Sequence, residues 1–177
     1  VTLDFETKAP NFDRARVFQV DKMDDIETAK IAFGRLASEF IRTKAVPEID
    51  ATRFATYCAK GTPVVSAALA TGEAWLKAIS TAVAAMDDAE VPAEGRILYI
   101  TPTGLRAIQD LDTTKSREVL ASFTAIVKVP QARFYTAIKS LSGKTGEEKG
   151  GYEKATTGKE LSFQIVHPSA LMQVAKD

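Results

Sequence analysis

The sequence has almost none of the residues on which covalent and metal chemistry usually depends. Among its 177 residues there is one cysteine, Cys58, and one histidine, His167. A single cysteine excludes an intrachain disulfide and a zinc site built from several cysteines, and it is typical of a protein that folds in a reducing compartment. We therefore expect neither a redox function nor a metal cofactor.

The chain also lacks net charge and long apolar runs. Its 23 Lys and Arg balance its 23 Asp and Glu, so no overall field draws it to nucleic acid or to an anionic membrane. No apolar run approaches the roughly 18 residues that span a bilayer, and no basic segment followed by an apolar one marks a secretion signal. With 45% hydrophobic residues, we expect a globular protein of one ordinary domain or two small ones.

The start of the chain predicts extended structure. Residues 1–5 alternate apolar and polar side chains, and residues 16–21 form a second β-prone run. The first residue is Val1 and not Met, and the alternation of Val1, Leu3 and Phe5 looks like the middle of a strand. We expect two strands here, in a chain that is a piece of a longer protein.

A long amphipathic helix is predicted next. Asp24 and Glu27 form a D-x-x-E variant of the capping box. Pro47 lacks the N–H that bonds to the carbonyl four residues earlier, so the helix either ends near Lys44 or continues kinked to Tyr57, about 50 Å in all. Its apolar residues, spaced by three and four, are Ile26, Ala29, Phe33, Leu36 and Phe40.

Glycine and proline at residues 61–63 break this pattern, and we place a domain boundary there. Residues 140–158 hold five of the ten glycines and predict a long polar loop. Pro168 opens a short helix or turn through Val174. The other predicted elements are a helix from Thr71 with an apolar face at Trp75, Ile79, Val83 and Met86, a turn over 91–95, a strand over 96–100, a helix from Thr101-Pro102 to Gln109, and β-prone runs over 123–129 and 161–166.

Nucleophilic catalysis would have to be built from Cys58 and His167, which lie far apart in the sequence. The alternative is structural: Cys58 is a small buried apolar residue, and His167 closes a strand before Pro168. We favour the structural interpretation.

Two further patterns have chemical and structural interpretations. Gly143-Lys144-Thr145 resembles the end of a phosphate-binding loop, but Ile138 stands where that motif needs glycine. Three pairs of carboxylates are Asp24 with Asp25, Asp87 with Asp88, and Asp110 with Asp112. Such pairs could hold a cation or perform acid and base chemistry, yet aspartate also favours helix caps and turns. We predict no catalytic, cofactor or metal site.

Whole runs of the sequence resemble the major capsid proteins of tailed bacteriophages, which have the Hong Kong phage, or Johnson, fold. The runs are residues 18–24 (FQVDKMD), 39–51 (EFIRTKAVPEIDA), 87–92 (DDAEVP) leading into 94–99 (EGRILY), 129–130 (VP) with 133–135 (RFY), and 165–170 (IVHPSA). They occur in matching order and spacing, so the resemblance extends over most of the chain. The run over 39–51 is more specific than the run over 18–24.

This resemblance implies an α+β subunit with a long spine helix. Residues 1–60 would form a partial peripheral domain with the stem of an extended hairpin, residues 61–166 an axial domain near the capsomer centre, and residues 167–177 the return to the peripheral domain. The family's N-terminal arm, most of its hairpin and its last peripheral strands have no counterpart here, and residues 111–122 show little resemblance.

The implied function is structural and not enzymatic. Copies of the chain would form pentamers and hexamers of an icosahedral shell around packaged DNA, with portal and scaffold proteins as further partners and no sequence-specific nucleic acid or membrane partner. Assembly would take place in the cytoplasm of a bacterial host, and the product would be the capsid of a virion. We predict intersubunit polar contacts at Asp13, Arg14 and Arg16, because these charges cluster beside an extended segment without a core of its own. The resemblance also implies that the glycine-rich loop from Ser140 lies near a capsomer axis.

Two alternatives remain open at this point. The first is an encapsulin, a bacterial compartment shell of the same fold, which would enclose a cargo enzyme instead of DNA. The second is a small hydrolase that uses Asp and Glu, since carboxylates alone can perform acid and base chemistry. A deep pocket with convergent carboxylates would favour the hydrolase.

Overall fold

Helices and two small β-sheets make up the part of the chain that the structure describes, and the fold class is α+β as predicted. The structure, a computed structural model, describes Arg14, Ala15, Val17, residues 31–62 (for Ala32 the backbone alone) and residues 69–171. The helices are α1 (Ala32–Phe40), α2 (Val46–Lys60), α3 (Gly72–Asp88), α4 (Pro102–Gln109) and α5 (Thr114–Ala121), and the strands are β1 (Ile97–Ile100), β2 (Ala125–Lys128), β3 (Ile138–Leu141), β4 (Gly151–Lys154) and β5 (Phe163–Val166).

Helices α1 and α2 form one continuous helix, which we call the spine helix (residues 32–60). A π-helical turn, Ile41–Ala45, joins them, and the N–H of Val46 donates to the carbonyl of Ile41, five residues back. Because Pro47 has no N–H and its ring would clash with the carbonyl four residues earlier, a local widening of the helix lets it pass. Of the two predicted outcomes at Pro47, continuation is therefore confirmed. The helix ends where Gly61 adopts an extended conformation.

A three-stranded sheet carries the main core. Its order is β2-β1-β5, with β1 and β2 parallel and β1 and β5 antiparallel. The parallel pair requires a crossover, which α4 and α5 supply. Helices α3, α4 and α5 pack on one face of the sheet around a buried cluster of Trp75, Leu76, Ile79, Leu98, Ile100, Leu105, Ile108 and Phe123.

Side chains at helix starts explain where these helices begin. The hydroxyl oxygen of Thr71 accepts from the N–H of Ala74, and that of Thr101 accepts from the N–H of Gly104. Such caps satisfy N–H groups that the first turn leaves without a partner. The predicted starts of α3 and α4 are confirmed, and so are the strands β1, β2 and β5 within their predicted runs.

The opposite face of the sheet packs against the spine helix. Phe54 of α2 makes edge-to-face contacts with Tyr99 at 5.2 Å and with Phe134 at 5.0 Å between ring centroids. Val129 completes this second buried cluster. The spine helix is thus anchored to the sheet through α2.

The predicted loop over residues 140–158 was wrong at residues 140–141 and 151–154, which lie in strands, while residues 142–150 and 155–158 lie outside the strands as predicted. Strands β3 and β4 pair antiparallel there, from Ile138 opposite Lys154 to Leu141 opposite Gly151, so only residues 142–150 form the turn. We call residues 138–154 the hairpin. Helix α5 has no counterpart among the predicted elements; its capping box pairs Thr113 with Ser116.

Other predictions lie outside the described residues: the strand over 1–5, the strand over 16–21 except for Val17, and the capping box of Asp24 and Glu27. The division into domains at residues 60 and 166 stays a prediction. Pro168 does open a short 3-10 helix, Pro168–Ala170.

Candidate assembly surface

The first half of the spine helix exposes apolar side chains. None of the described side chains of α1 and of the π-helical turn is buried. Because a helix turns by about 100° per residue, Leu36 and Ile41 lie roughly 140° apart around the axis, so this exposure is not confined to one stripe. The side chains that are between 40% and 55% exposed are Ile31, Phe33, Leu36, Ile41 and Val46.

Arg14 connects the spine helix to the hairpin. Its guanidinium forms an ion pair with the Glu48 carboxylate in the first turn of α2. It also donates to the carbonyls of Leu141 and, at 3.2 Å, of Gly151, the two residues that face each other at the last pair of the hairpin ladder. One side chain thus contacts α2, β3 and β4.

Further polar contacts link the hairpin to a 3-10 turn and that turn to the spine helix. Arg133, in the 3-10 turn Gln131–Arg133, forms an ion pair with Asp50 of α2 at 3.1 Å. The hydroxyl of Tyr152 in β4 donates to the carbonyl of Ala132 at 2.8 Å, and partial burial raises the pKa of this phenol. The hairpin, the 3-10 turn and the spine helix therefore meet at one junction.

The turn of the hairpin is organised by its own acidic side chains. Glu147 accepts from the N–H of Ser142 at 2.7 Å and pairs with Lys139 at 2.8 Å. The hydrogen bond from Lys139, followed by that from Ser142, lowers the pKa of Glu147 to about 2. Gly143 and Gly146 have φ values of 74° and 88°, which glycine adopts readily. The turn is preformed, and its side chains are polar.

The predicted intersubunit residues fall into two groups. Asp13 and Arg16 lie outside the described residues. Arg14 lies at the junction above, where its contacts are with its own chain. The intersubunit role of the three residues stays a prediction. Glu48, the partner of Arg14, was not predicted, because no sequence pattern links two residues so far apart in the chain.

Cys58 and His167 do not form a catalytic pair in the structure. Both nitrogens of the His167 ring have other partners: Nε2 is 2.9 Å from the carbonyl oxygen of Glu94, and Nδ1 is 2.6 Å from Oγ of Ser169. Cys58 is half-buried in α2, and burial raises the pKa of its thiol, which disfavours the nucleophilic thiolate. His167 directly follows β5, as predicted.

Of the remaining chemical patterns, the pair of Asp24 and Asp25 lies outside the described residues, and the others have structural roles. Gly143-Lys144-Thr145 belongs to the hairpin turn, and no helix follows it as a phosphate-binding loop requires. Asp87 and Asp88 end α3, and Asp110 caps the end of α4, as the structural interpretation predicted. Within residues 31–62 and 69–171, no three His, Cys, Asp or Glu side chains are grouped as a metal site would require.

Grooves lie beside α1, with a volume of about 680 Å³, and at the start of α4, with a volume of about 430 Å³. The described lining of the first includes Glu39, which pairs with Arg42 at 2.7 Å, and that of the second includes Glu160. Among the described lining residues, neither groove brings two carboxylates together, which acid and base chemistry by carboxylates would need.

Comparison of the chain with models of known protein families, with curated proteins and with solved structures found no match to any of them. None of the helices in the described ranges is both long and apolar enough to cross a membrane.

Proposed function

We propose that the chain is a structural subunit of a tailed-bacteriophage capsid with the Johnson fold. Copies of it assemble into pentamers and hexamers, which close into an icosahedral shell around packaged DNA. The proposal begins from the resemblance of several sequence runs to this family. Its working part is the surface of the subunit, and no catalytic cleft is required.

The exposed apolar side chains of the spine helix carry the proposal. Burying them would stabilise an assembly by about 25 cal/mol for each Å² of apolar surface removed from water. A helix that is anchored at one end by Phe54 and exposes Phe33, Leu36 and Ile41 at the other is suited to contact another chain. This supports a subunit that is completed by its neighbours.

A closed shell does not need a strong contact between any one pair of subunits. Each copy meets several neighbours, and closure engages all these contacts at once. The preformed polar turn of the hairpin and the apolar spine helix are two surfaces of different chemistry on one subunit. Such a pair supports heterologous contacts, which build rings when the rotation closes.

Assembly of the protein expressed from its complete gene tests the proposal. Leu36→Asp places a charge on the exposed spine surface, so it should abolish large particles in sedimentation while leaving the circular dichroism spectrum unchanged. Lys77→Glu, an exposed charge change on α3, is the matched control and should leave assembly intact. Particles that form equally well with Leu36→Asp would reject the spine helix as an assembly surface.

The contents of the particles separate the proposed function from its closest alternative. Particles that hold DNA, or that assemble with a portal protein, fit a bacteriophage shell. Particles that hold an enzyme and no DNA fit an encapsulin and would contradict the proposed function.

A further inference from the structure

We propose that Arg14 is a clamp that fixes the direction of the hairpin relative to the spine helix. The inference concerns the folded chain itself and goes beyond the proposed function. It follows from the absence of a fully buried side chain in β3 and β4 and from the contacts that the Arg14 guanidinium makes with both strands and with the spine helix.

The hairpin has no fully buried side chain. Ile138 and Leu141 of β3 and Tyr152 of β4 are half-buried, so hydrophobic burial contributes less to its position than it does in the main core. Its ladder of hydrogen bonds joins β3 to β4 and not to the body of the protein. Directional polar contacts therefore contribute strongly to its orientation: those of Arg14 and the hydrogen bond from the Tyr152 hydroxyl to Ala132.

Arg14 makes contacts that suit this role. A guanidinium presents several N–H donors in a fixed planar fork. Here the fork reaches the carbonyls of Leu141 and Gly151, one on each strand, and the carboxylate of Glu48 on the spine helix. A rotation of the hairpin against α2 would break at least one of these contacts.

Glu48 makes the clamp selective for a cation. Its side chain is only 13% exposed, while that of Arg14 is 30% exposed. Among the ion pairs between described residues, the one that includes Glu48 is with Arg14. A carboxylate this shielded from water is costly without a partner of opposite charge, so the folded chain favours the state in which Arg14 is docked.

Of the three described residues near the start of the chain, Arg14 is the one whose side chain contacts the hairpin. Ala15 is exposed and Val17 is 84% exposed, so burial of these two side chains does not hold them against the hairpin. Within the proposed function, and resting on it, the clamp would fix the direction in which the hairpin turn meets a neighbouring copy.

Pulsed electron paramagnetic resonance between two spin labels tests the clamp. In a Cys58→Ser background, labels at Lys77→Cys on α3 and Lys144→Cys on the hairpin turn report the hairpin direction as a distance distribution. With Arg14 present we expect one narrow distribution. In the double variant Arg14→Gln/Glu48→Gln the narrow distribution should be lost.

The double variant removes both charges, so it does not strand the Glu48 carboxylate, and its melting temperature should stay close to that of the parent. Arg117→Gln is the matched control, because Arg117 pairs with Asp112 on an exposed surface far from the hairpin in sequence; its distribution should remain narrow. An unchanged narrow distribution in Arg14→Gln/Glu48→Gln would overturn the clamp.

The outcomes for the clamp and for the proposed function are separate. If the distribution broadens but the protein never forms particles, the clamp stands and the proposed function falls. If particles form and the distribution stays narrow without Arg14, the proposed function stands and the clamp falls.

Discussion

The indole ring of Trp75 occupies the space beside the Cα of Gly104. A Cβ added at Gly104 would lie 2.5 Å from two atoms of that ring, and Trp75 is itself buried in the main core. Helices α3 and α4 can pack this closely only because residue 104 has no side chain.

Gly104→Ala should therefore destabilise the protein by about 1–3 kcal/mol, the usual cost of overpacking a core. Urea denaturation followed by tryptophan fluorescence measures this change. Gly34→Ala is the matched control, since a Cβ at Gly34 in α1 meets nothing within 4 Å; alanine should there raise stability by about 0.5–1 kcal/mol. Equal stability of the Gly104→Ala variant and the parent would contradict the packing of α3 on α4.

Arg96 is a buried residue that ties the end of α3 to the start of β1. It is 3% exposed, pairs with Asp87 at 2.7 Å, and donates to the carbonyls of Pro92, at 2.9 Å, and Val91. Arg96→Met keeps most of the volume but leaves these carbonyls without their donor, so we expect a loss of about 1–3 kcal/mol in the free energy of unfolding.

Arg117→Met provides the comparison for that loss. Arg117 and Asp112 form an ion pair in which both side chains are mostly exposed, and such pairs contribute at most about 1 kcal/mol. Measured by the same denaturation experiment, the loss in the free energy of unfolding should be clearly larger for Arg96→Met than for Arg117→Met. A larger loss for Arg117→Met would show that the contacts of Arg96 are not made.

The lowered pKa of the Glu147 carboxyl predicts that the stability of the hairpin turn depends on pH. This pKa is lowered from 4.5 to about 2, chiefly by the hydrogen bond with Lys139. A lowered pKa means that its stabilising contribution is complete above the unfolded pKa and is lost as the pH falls from about 4.5 towards 2. The turn should thus loosen only in strong acid.

Carboxyl titration by nuclear magnetic resonance measures this pKa directly. In the parent, the Glu147 signal should titrate near 2, and in Lys139→Met it should move up towards 4.5. Lys154→Met serves as a control because Lys154 lies opposite Ile138 at the far end of the ladder. A Glu147 signal that titrates near 4.5 in the parent would rule out the pairing with Lys139.

Local sequence signals predicted the elements that depend on local interactions. Thr101 followed by Pro102 marked the start of α4, and Thr71 marked the start of α3, because capping involves residues three apart. The hairpin was missed because its strands have no buried side chain and so lack the alternation that predicts a strand. Helix α5 was missed because its capping box uses Ser116 where glutamate or glutamine is usual.

The candidate assembly surface could be predicted only in part. The apolar spacing of Phe33 and Leu36 predicted an amphipathic helix, but not that these side chains remain exposed in the single chain. Arg14 was singled out as a polar contact, whereas its partners Glu48, Leu141 and Gly151 are distant in sequence and are brought together only by the tertiary fold.

Electron microscopy of the protein expressed alone from its complete gene tests the central claim most directly. A surface that works by meeting copies of itself should produce closed particles of uniform diameter built from pentamers and hexamers. A protein that stays monomeric at every concentration and salt condition would contradict the account.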